Sequence, residues 1–308
     1  MKTFHWKNIW LLLKDSAIAW DDDNIGQQGA ALSFFTVFSL SPLLILVIVL
    51  SSFGFGQEAA SGHLVDQIRG LIGIEGAQFV QSLITNAYKS HSNVLATIFS
   101  VVMFMLGASA VFVQLRDSLN TIWHVQLKPI GTIHAFLRVR LLSIALIIGF
   151  GFLLLVSLIV SAVLAAMSNY LRDLFVILAN LVSLLNFIIS FAGITVIFAL
   201  MFKFVPAVIL KWKDVWIGAA VTSLLFSIGK IVIGLYLGNG SIGSTFGAAS
   251  SLVIFMMWAF YSSQIVLFGA EFTRLYATRF GANIFPRKNA THIVIQRVEP
   301  KETSVSKD

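Results

Sequence analysis

An all-α membrane protein, polytopic with six transmembrane helices, is predicted by three observations. Apolar side chains make up 57% of the 308 residues and charged ones only 11%, whereas soluble chains average about half and about a quarter. The apolar residues gather into runs of about twenty or more. At about 1.5 Å rise per residue, such a run crosses a hydrocarbon core of roughly 30 Å. Lysine and arginine, finally, collect in alternate links between those runs, which is the pattern that orients a multi-pass chain.

Residues 1–28 carry Trp6, Trp10 and Trp20, three lysines and the short apolar patch IWLLL. The patch is too short to span or to form the core of a signal peptide. An interfacial amphipathic helix with its tryptophans at headgroup depth is expected instead. Asp21, Asp22 and Asp23 come next. Consecutive residues point different ways on a helix, so these carboxylates are expected to serve as a solvated cap.

The transmembrane domain is placed at 29–275, with spans at about 29–53, 94–115, 141–167, 174–202, 214–238 and 248–275. Pro42 falls near the middle of the first span and should kink it unless neighbouring hydroxyls satisfy the freed carbonyl. Between the first two spans lies a polar insertion, 54–93. Its stretches HLVDQIRGLIGI and AQFVQSLITNAY space apolar residues by three and four, so two short amphipathic helices on the membrane surface are expected there. The fourth span exceeds what a bilayer requires and is expected to tilt or to begin in the interface. Residues 276–308 form a basic, polar tail, expected to be partly disordered.

Charge sets the orientation. The amino terminus, the second link, the fourth link and the tail from Arg274 hold three, four, three and seven Lys and Arg, against two, one and none in the first, third and fifth links. Both termini are therefore expected in the cytoplasm, and an even number of spans agrees. This places the 54–93 helices on the outer, periplasmic side. Nucleic acid is not expected as a partner, because the basic residues mark one side of a membrane.

The chain has no cysteine, which excludes disulfides, thiolate metal sites and cysteine nucleophiles. It has no Walker loop, so ATP is not expected as a direct energy source. No cofactor is expected. The histidines, at 5, 63, 91, 124, 134 and 292, have no metal-ligand spacing, and no carboxylate pair falls inside a span. No metal site is expected, and hydrolysis needing grouped carboxylates or histidines lacks its residues.

Several stretches carry a family resemblance: GAALSFFTVFSLSPLLIL, FVQLRDSLNTIWHV, RLLSIALIIGFGFLLL, GKIVIGLYL, GSTFGAASSLVIFMMW and LFGAEF. Together they cover about residues 20–280, and the chain resembles the YihY/BrkB family of bacterial inner-membrane proteins, historically labelled ribonuclease BN. The resemblance implies six transmembrane helices and an inner-membrane location. It implies little about substrate, although lipid export or transport has been proposed for a few members.

Two groups of polar residues stand out. Ser223, Ser227, Lys230 and Gly234 share one face of the fifth span, and Asn180, Ser183, Asn186, Ser190 and Gly193 form a comparable stripe on the fourth. Such stripes either let helices approach and hydrogen-bond or line a polar cavity, with Lys230 offering charge to an anionic headgroup or substrate. Lys230 could equally snorkel to the outer headgroups. The substrate-cavity candidates are Lys230, Ser223, Ser227, Asn186, Ser190 and Pro42. The second group is a polar cluster on the cytoplasmic side: Arg116, Asp117, Asn120, Gln264, Glu271 and Arg274. Glu271 lies about 20 Å in depth from Lys230 at about 1.5 Å per residue, so its expected partner is Arg274 or the Arg116 group. Helix clamping is the expected role of this group.

The expected function is non-enzymatic: transport or accommodation of a lipid or other amphiphile, with membrane lipids as partners. The alternative is a structural or interaction protein that recruits partners through its periplasmic helices. Oligomeric state has no signal in the sequence.

Overall fold

A computed structural model describes residues 6–39, 65, 69, 77–82, 85, 94–128, 176–238, 249–281 and 284–293. These residues form helices α1 (Trp6–Asp22), α2 (25–39), α3 (Val94–Ile122), α4 (Val176–Phe204), α5 (Trp212–Gly238) and α6 (Ser250–Phe280). Four short strands join them: β1 (Val125–Leu127), β2 (Val208–Ile209), β3 (Phe285–Pro286) and β4 (Ala290–His292). Among the described residues, Phe187–Phe204 of α4, Trp212–Tyr236 of α5 and Ser250–Phe280 of α6 are long and apolar enough to cross a membrane.

The expected spans 94–115, 174–202, 214–238 and 248–275 fall on α3 to α6, and α2 covers the start of the expected 29–53 span. The 141–167 span, Pro42 and most of the 54–93 insertion lie outside the described residues. Part of that insertion is described. Residues 77–82 are helical, Ala77 and Val80 are buried, and Phe79 meets Phe255 of α6 at 5.8 Å between ring centroids.

The 17 residues of α1 fall within the segment read as interfacial. Leu12 and Ser16 face inward, and the Ser16 hydroxyl donates to the Leu12 carbonyl at 2.7 Å. Trp10, Leu11 and Ile18 face outward. Near the other end of the chain, Arg279 of α6 reaches Asp15 of α1 at 2.9 Å.

Burial is uneven along the bundle. One cluster holds Ile25, Phe112, Leu119, Ile122, Trp123, Phe198, Phe202, Val208, Val215 and Leu267. These residues come from the end of the bundle where α1 turns into α2 and α3 runs into β1. Toward its other end, α5 exposes Ile231, Leu235 and Tyr236, as a lipid-facing helix does when no water penalises apolar exposure.

Short strands finish the packed end. β1 pairs antiparallel with β4, Val125 opposite His292, and β2 pairs antiparallel with β3, Val208 opposite Pro286. Pro286 is tolerated because this strand is one of only two in its sheet and needs few ladder bonds. The residues just past α6 thus clasp two separate links. Arg287 N–H donates to the Ala207 carbonyl at 2.8 Å, and Ile293 N–H donates to the His124 carbonyl at 2.9 Å. The expected basic tail, 276–308, is therefore in strands at 285–286 and 290–292. Buried Asn120 holds the same region from α3, accepting the Ala207 N–H at 2.8 Å on Oδ1. An amide left bare there would be a buried unsatisfied donor.

Candidate functional site

The chain turns at residues 23–24, between α1 and α2. Asn24 takes a left-handed φ of 52°, which asparagine tolerates better than most residues. Its N–H donates to Asp21 at 3.0 Å, while Asp23 N–H donates to Ala19 at 2.9 Å. At this turn the Asp23 side chain points inward and is only 7% exposed. A second turn ends α3. There His124 is also left-handed, at φ 50°, and its N–H donates to the Thr121 carbonyl at 2.9 Å. A left-handed histidine costs on the order of 1 kcal/mol, and the strained position carries the imidazole toward Asp23.

The third contributor is α6. His124 Nε2 lies 3.2 and 3.1 Å from the two Asp23 carboxylate oxygens. Arg274 Nη2 stands 3.7 Å from Asp23 Oδ2 and 2.8 Å from Glu271 Oε2, and Arg274 Nε donates to that same Oε2 at 3.0 Å. Arg274 Nη1 also faces His124 Nδ1 at 3.4 Å. Four ionisable side chains from three elements therefore meet at the packed end of the bundle. Burial alone would raise the pKa of Asp23; the hydrogen bonds from His124 and Glu271, with the charge of Arg274, outweigh it and hold the carboxyl below its ordinary value.

About two turns before Glu271, Gln264 sits on α6 as a second link to α1. Trp20 Nε1 donates to Gln264 Oε1 at 3.1 Å, and Gln264 Nε2 donates to the Gly26 carbonyl at 3.2 Å. Glycine at 29 makes room for the amide, because a Cβ there would overlap Gln264. Beside this contact opens a groove of about 300 Å³ lined by Trp20, Leu225, Ile228, Gly229, Tyr261, Gln264, Ile265 and Phe268. Its walls are mostly apolar, with Gln264 and Tyr261 as the polar exceptions.

The candidate residues are dispersed by the fold. Lys230 is exposed and is not among the residues lining this groove. Ser223 is buried, and its hydroxyl has no hydrogen-bond partner among the described residues. Ser227 donates to the Ser223 carbonyl at 2.8 Å within its own helix. Ser190 is half-buried; the Asn186 side chain and Pro42 lie outside the described residues. Of the second group, Glu271 and Arg274 pair with each other. Arg116 instead meets its neighbour Asp117 at 3.5 Å, Asn120 holds Ala207, and Gln264 binds α1.

Asp23 corrects one expectation. It is not part of a solvated cap but an inward partner of His124 and Arg274, because the left-handed Asn24 ends the helix just after it. Neither Asp23 nor His124 was a candidate. The available signal was local: an aspartate followed by asparagine, the residue that favours a left-handed turn, at the point where an interfacial helix must turn into a span.

The apolar helices and the charged junction at one end of the bundle define a helical membrane protein. More narrowly, the chain belongs to the family described as Virulence factor BrkB, whose model matches residues 18–293. Curated relatives carry the name UPF0761 membrane protein. That of Verminephrobacter eiseniae is 29% identical over 280 residues, which are 89% of this chain and 63% of the relative. The relative from Rhodospirillum centenum is 27% identical over 251 residues, 80% of this chain and 52% of its own length. For Tolumonas auensis the figures are 26% over 278 residues, with 88% and 83% covered. The chain thus spans between about half and two thirds of the length of the first two. No solved structure matches.

Proposed function

We propose that this membrane protein acts without catalysis, accommodating and moving a lipid or other amphiphile at the bacterial inner membrane. The groove beside Trp20 carries the reading. Its walls of Leu225, Ile228, Ile265 and Phe268 suit an acyl chain, and Gln264 lies where the groove meets the polar end of the bundle. An amphiphile needs that combination of a long apolar wall and a polar terminus. The reading places the lipid between α5, α6 and α1, rather than along the face of Lys230. The distribution of lysine and arginine supports an orientation with both termini cytoplasmic, so the charged junction would face the inner leaflet and the aqueous side.

The test is photolabelling. Full-chain protein reconstituted with phospholipid carrying a diazirine in its acyl chain is irradiated and digested, and labelled residues are mapped by mass spectrometry. Label should concentrate at Ile228, Ile265 and Phe268, and Ile228→Trp, which fills the groove, should reduce it several-fold. Label spread evenly over exposed apolar residues such as Phe187 and Leu235, and unchanged by Ile228→Trp, would reject the reading.

A further inference from the structure

Glu271 is 0% exposed. Both Arg274 donors go to one of its oxygens, Oε2, at 2.8 and 3.0 Å. The other oxygen, Oε1, has no hydrogen-bond partner among the described residues. A buried carboxylate oxygen with no donor is costly, the more so when charged. The nearest carboxyl to it among the described residues is that of Asp23, because Arg274 Nη2 lies 2.8 Å from Glu271 Oε2 and 3.7 Å from Asp23 Oδ2. An ionised oxygen would face another ionised group there, and the pair would repel.

The neighbouring charges do not remove the conflict. His124 Nε2 faces both Asp23 oxygens, at 3.2 and 3.1 Å, so this nitrogen carries the hydrogen. Its Nδ1 faces a guanidinium N–H of Arg274 at 3.4 Å. An N–H can only be directed at a bare nitrogen, so these contacts assign a neutral imidazole. Arg274 is then the single cation facing two carboxyls. Three other charged groups on the packed elements face different neighbours: Asp15 of α1 meets Arg279 at 2.9 Å, Arg116 of α3 meets Asp117 at 3.5 Å, and Asp214 of α5 lies beside Gly281 and Tyr276.

One hydrogen supplies both the missing donor and the missing positive charge. We infer that Glu271 and Asp23 form a proton-binding site, with the protonated Glu271 carboxyl donating to the Asp23 carboxylate and half-open His124 connecting the pair to solvent. The ligand is a proton, and no bond other than the O–H is made or broken. The imidazole is suited to the relay because its side chain is 32% exposed while it touches Asp23 directly. The bound proton fastens the turn between α1 and α2 to α6, and its release would leave two buried carboxylates on one guanidinium. This site does not depend on whether the groove takes a lipid.

Infrared spectroscopy of the full chain in nanodiscs tests it at neutral pH. The wild type should show a protonated-carboxyl C=O band that shifts in D₂O and is missing in Glu271→Gln. Thermal unfolding gives a second readout. Glu271→Gln offers Asp23 an amide N–H in place of the proton, so it should melt close to the wild type, whereas Glu271→Ala should melt well below it. A spectrum that Glu271→Gln leaves unaltered, or a Glu271→Gln protein as unstable as Glu271→Ala, would overturn the assignment.

Discussion

Thr222 of α5 sits against Gly269 of α6, and four residues away on each helix the relation is inverted, with Thr273 of α6 against Gly218 of α5. Each threonine hydroxyl donates to the carbonyl of the glycine four residues earlier in its own helix, Thr222 to Gly218 at 2.8 Å and Thr273 to Gly269 at 2.6 Å. The polar atom is thereby satisfied inside its own helix, and the side chain can fill the space left by the opposite glycine. In lipid, burying an apolar side chain gains little over leaving it among acyl chains, so close backbone approach has to supply the attraction. A Cβ at either glycine would overlap the facing threonine. Gly269→Ala should therefore destabilise the protein by about 1–3 kcal/mol, the usual range for overpacking. The double variant Gly269→Ala with Thr222→Gly should recover part of that loss, even though a helical glycine itself costs about 1 kcal/mol. Unfolding in mixed micelles would measure the coupling; strictly additive single effects would show that the two residues do not pack as a pair.

Asp23 gives the molecule a defined acid limit. Its carboxyl lies below the ordinary value of 3.8 because His124, Glu271 and Arg274 favour the charged form more than burial disfavours it. For a depressed carboxylate the sign is fixed: the stabilisation is full above 3.8 and is lost as pH falls through the lower folded-state value. Melting temperature should thus decline in acid below that ordinary value. Asp23→Asn removes the charge and leaves Arg274 facing less negative charge, at a cost of about 3 kcal/mol at neutral pH, as when a buried pair loses one partner. The variant should also lose the acid-side decline that Asp23 contributes. Melting curves of the two proteins across the acid range check this, and parallel curves would refute it.

How much of this could be read from the chain depends on sequence distance. Helices α4 and α5 were expected at 174–202 and 214–238, within two residues of where they lie, because an unbroken apolar run defines a span without reference to the rest of the fold. The sixth span was expected at about 248–275, and α6 continues past it to Phe280, its backbone ladder closing with the Gly281 N–H on the Ala277 carbonyl. Glu271 with Arg274 was readable as one turn of a helix. His124 with Asp23 and Trp20 with Gln264 are 101 and 244 residues apart, and no periodicity encodes such contacts. The strands at β2 and β3 are two residues long, too short to show alternation, and their pairing is set by where α6 ends.

Lys230 drew attention as the one charge expected deep within a span, and the structure leaves it exposed on α5, one residue past Gly229 of the groove. At Gly229 itself a Cβ would stand 2.5 Å from Ile265 and 3.0 Å from Tyr261, so the two adjacent positions face very different surroundings. An exposed lysine on a span meets its charge requirement by extending to the headgroups. Lys230→Ala should accordingly melt with the wild type and retain the acyl-chain labelling at Ile228, Ile265 and Phe268. Gly229→Val, by contrast, should lower the melting temperature and displace the α6 side of the groove. If Lys230→Ala instead abolished labelling while leaving stability intact, the lysine would belong to the lipid site, and the path of the amphiphile would have to be redrawn along the outer face of α5.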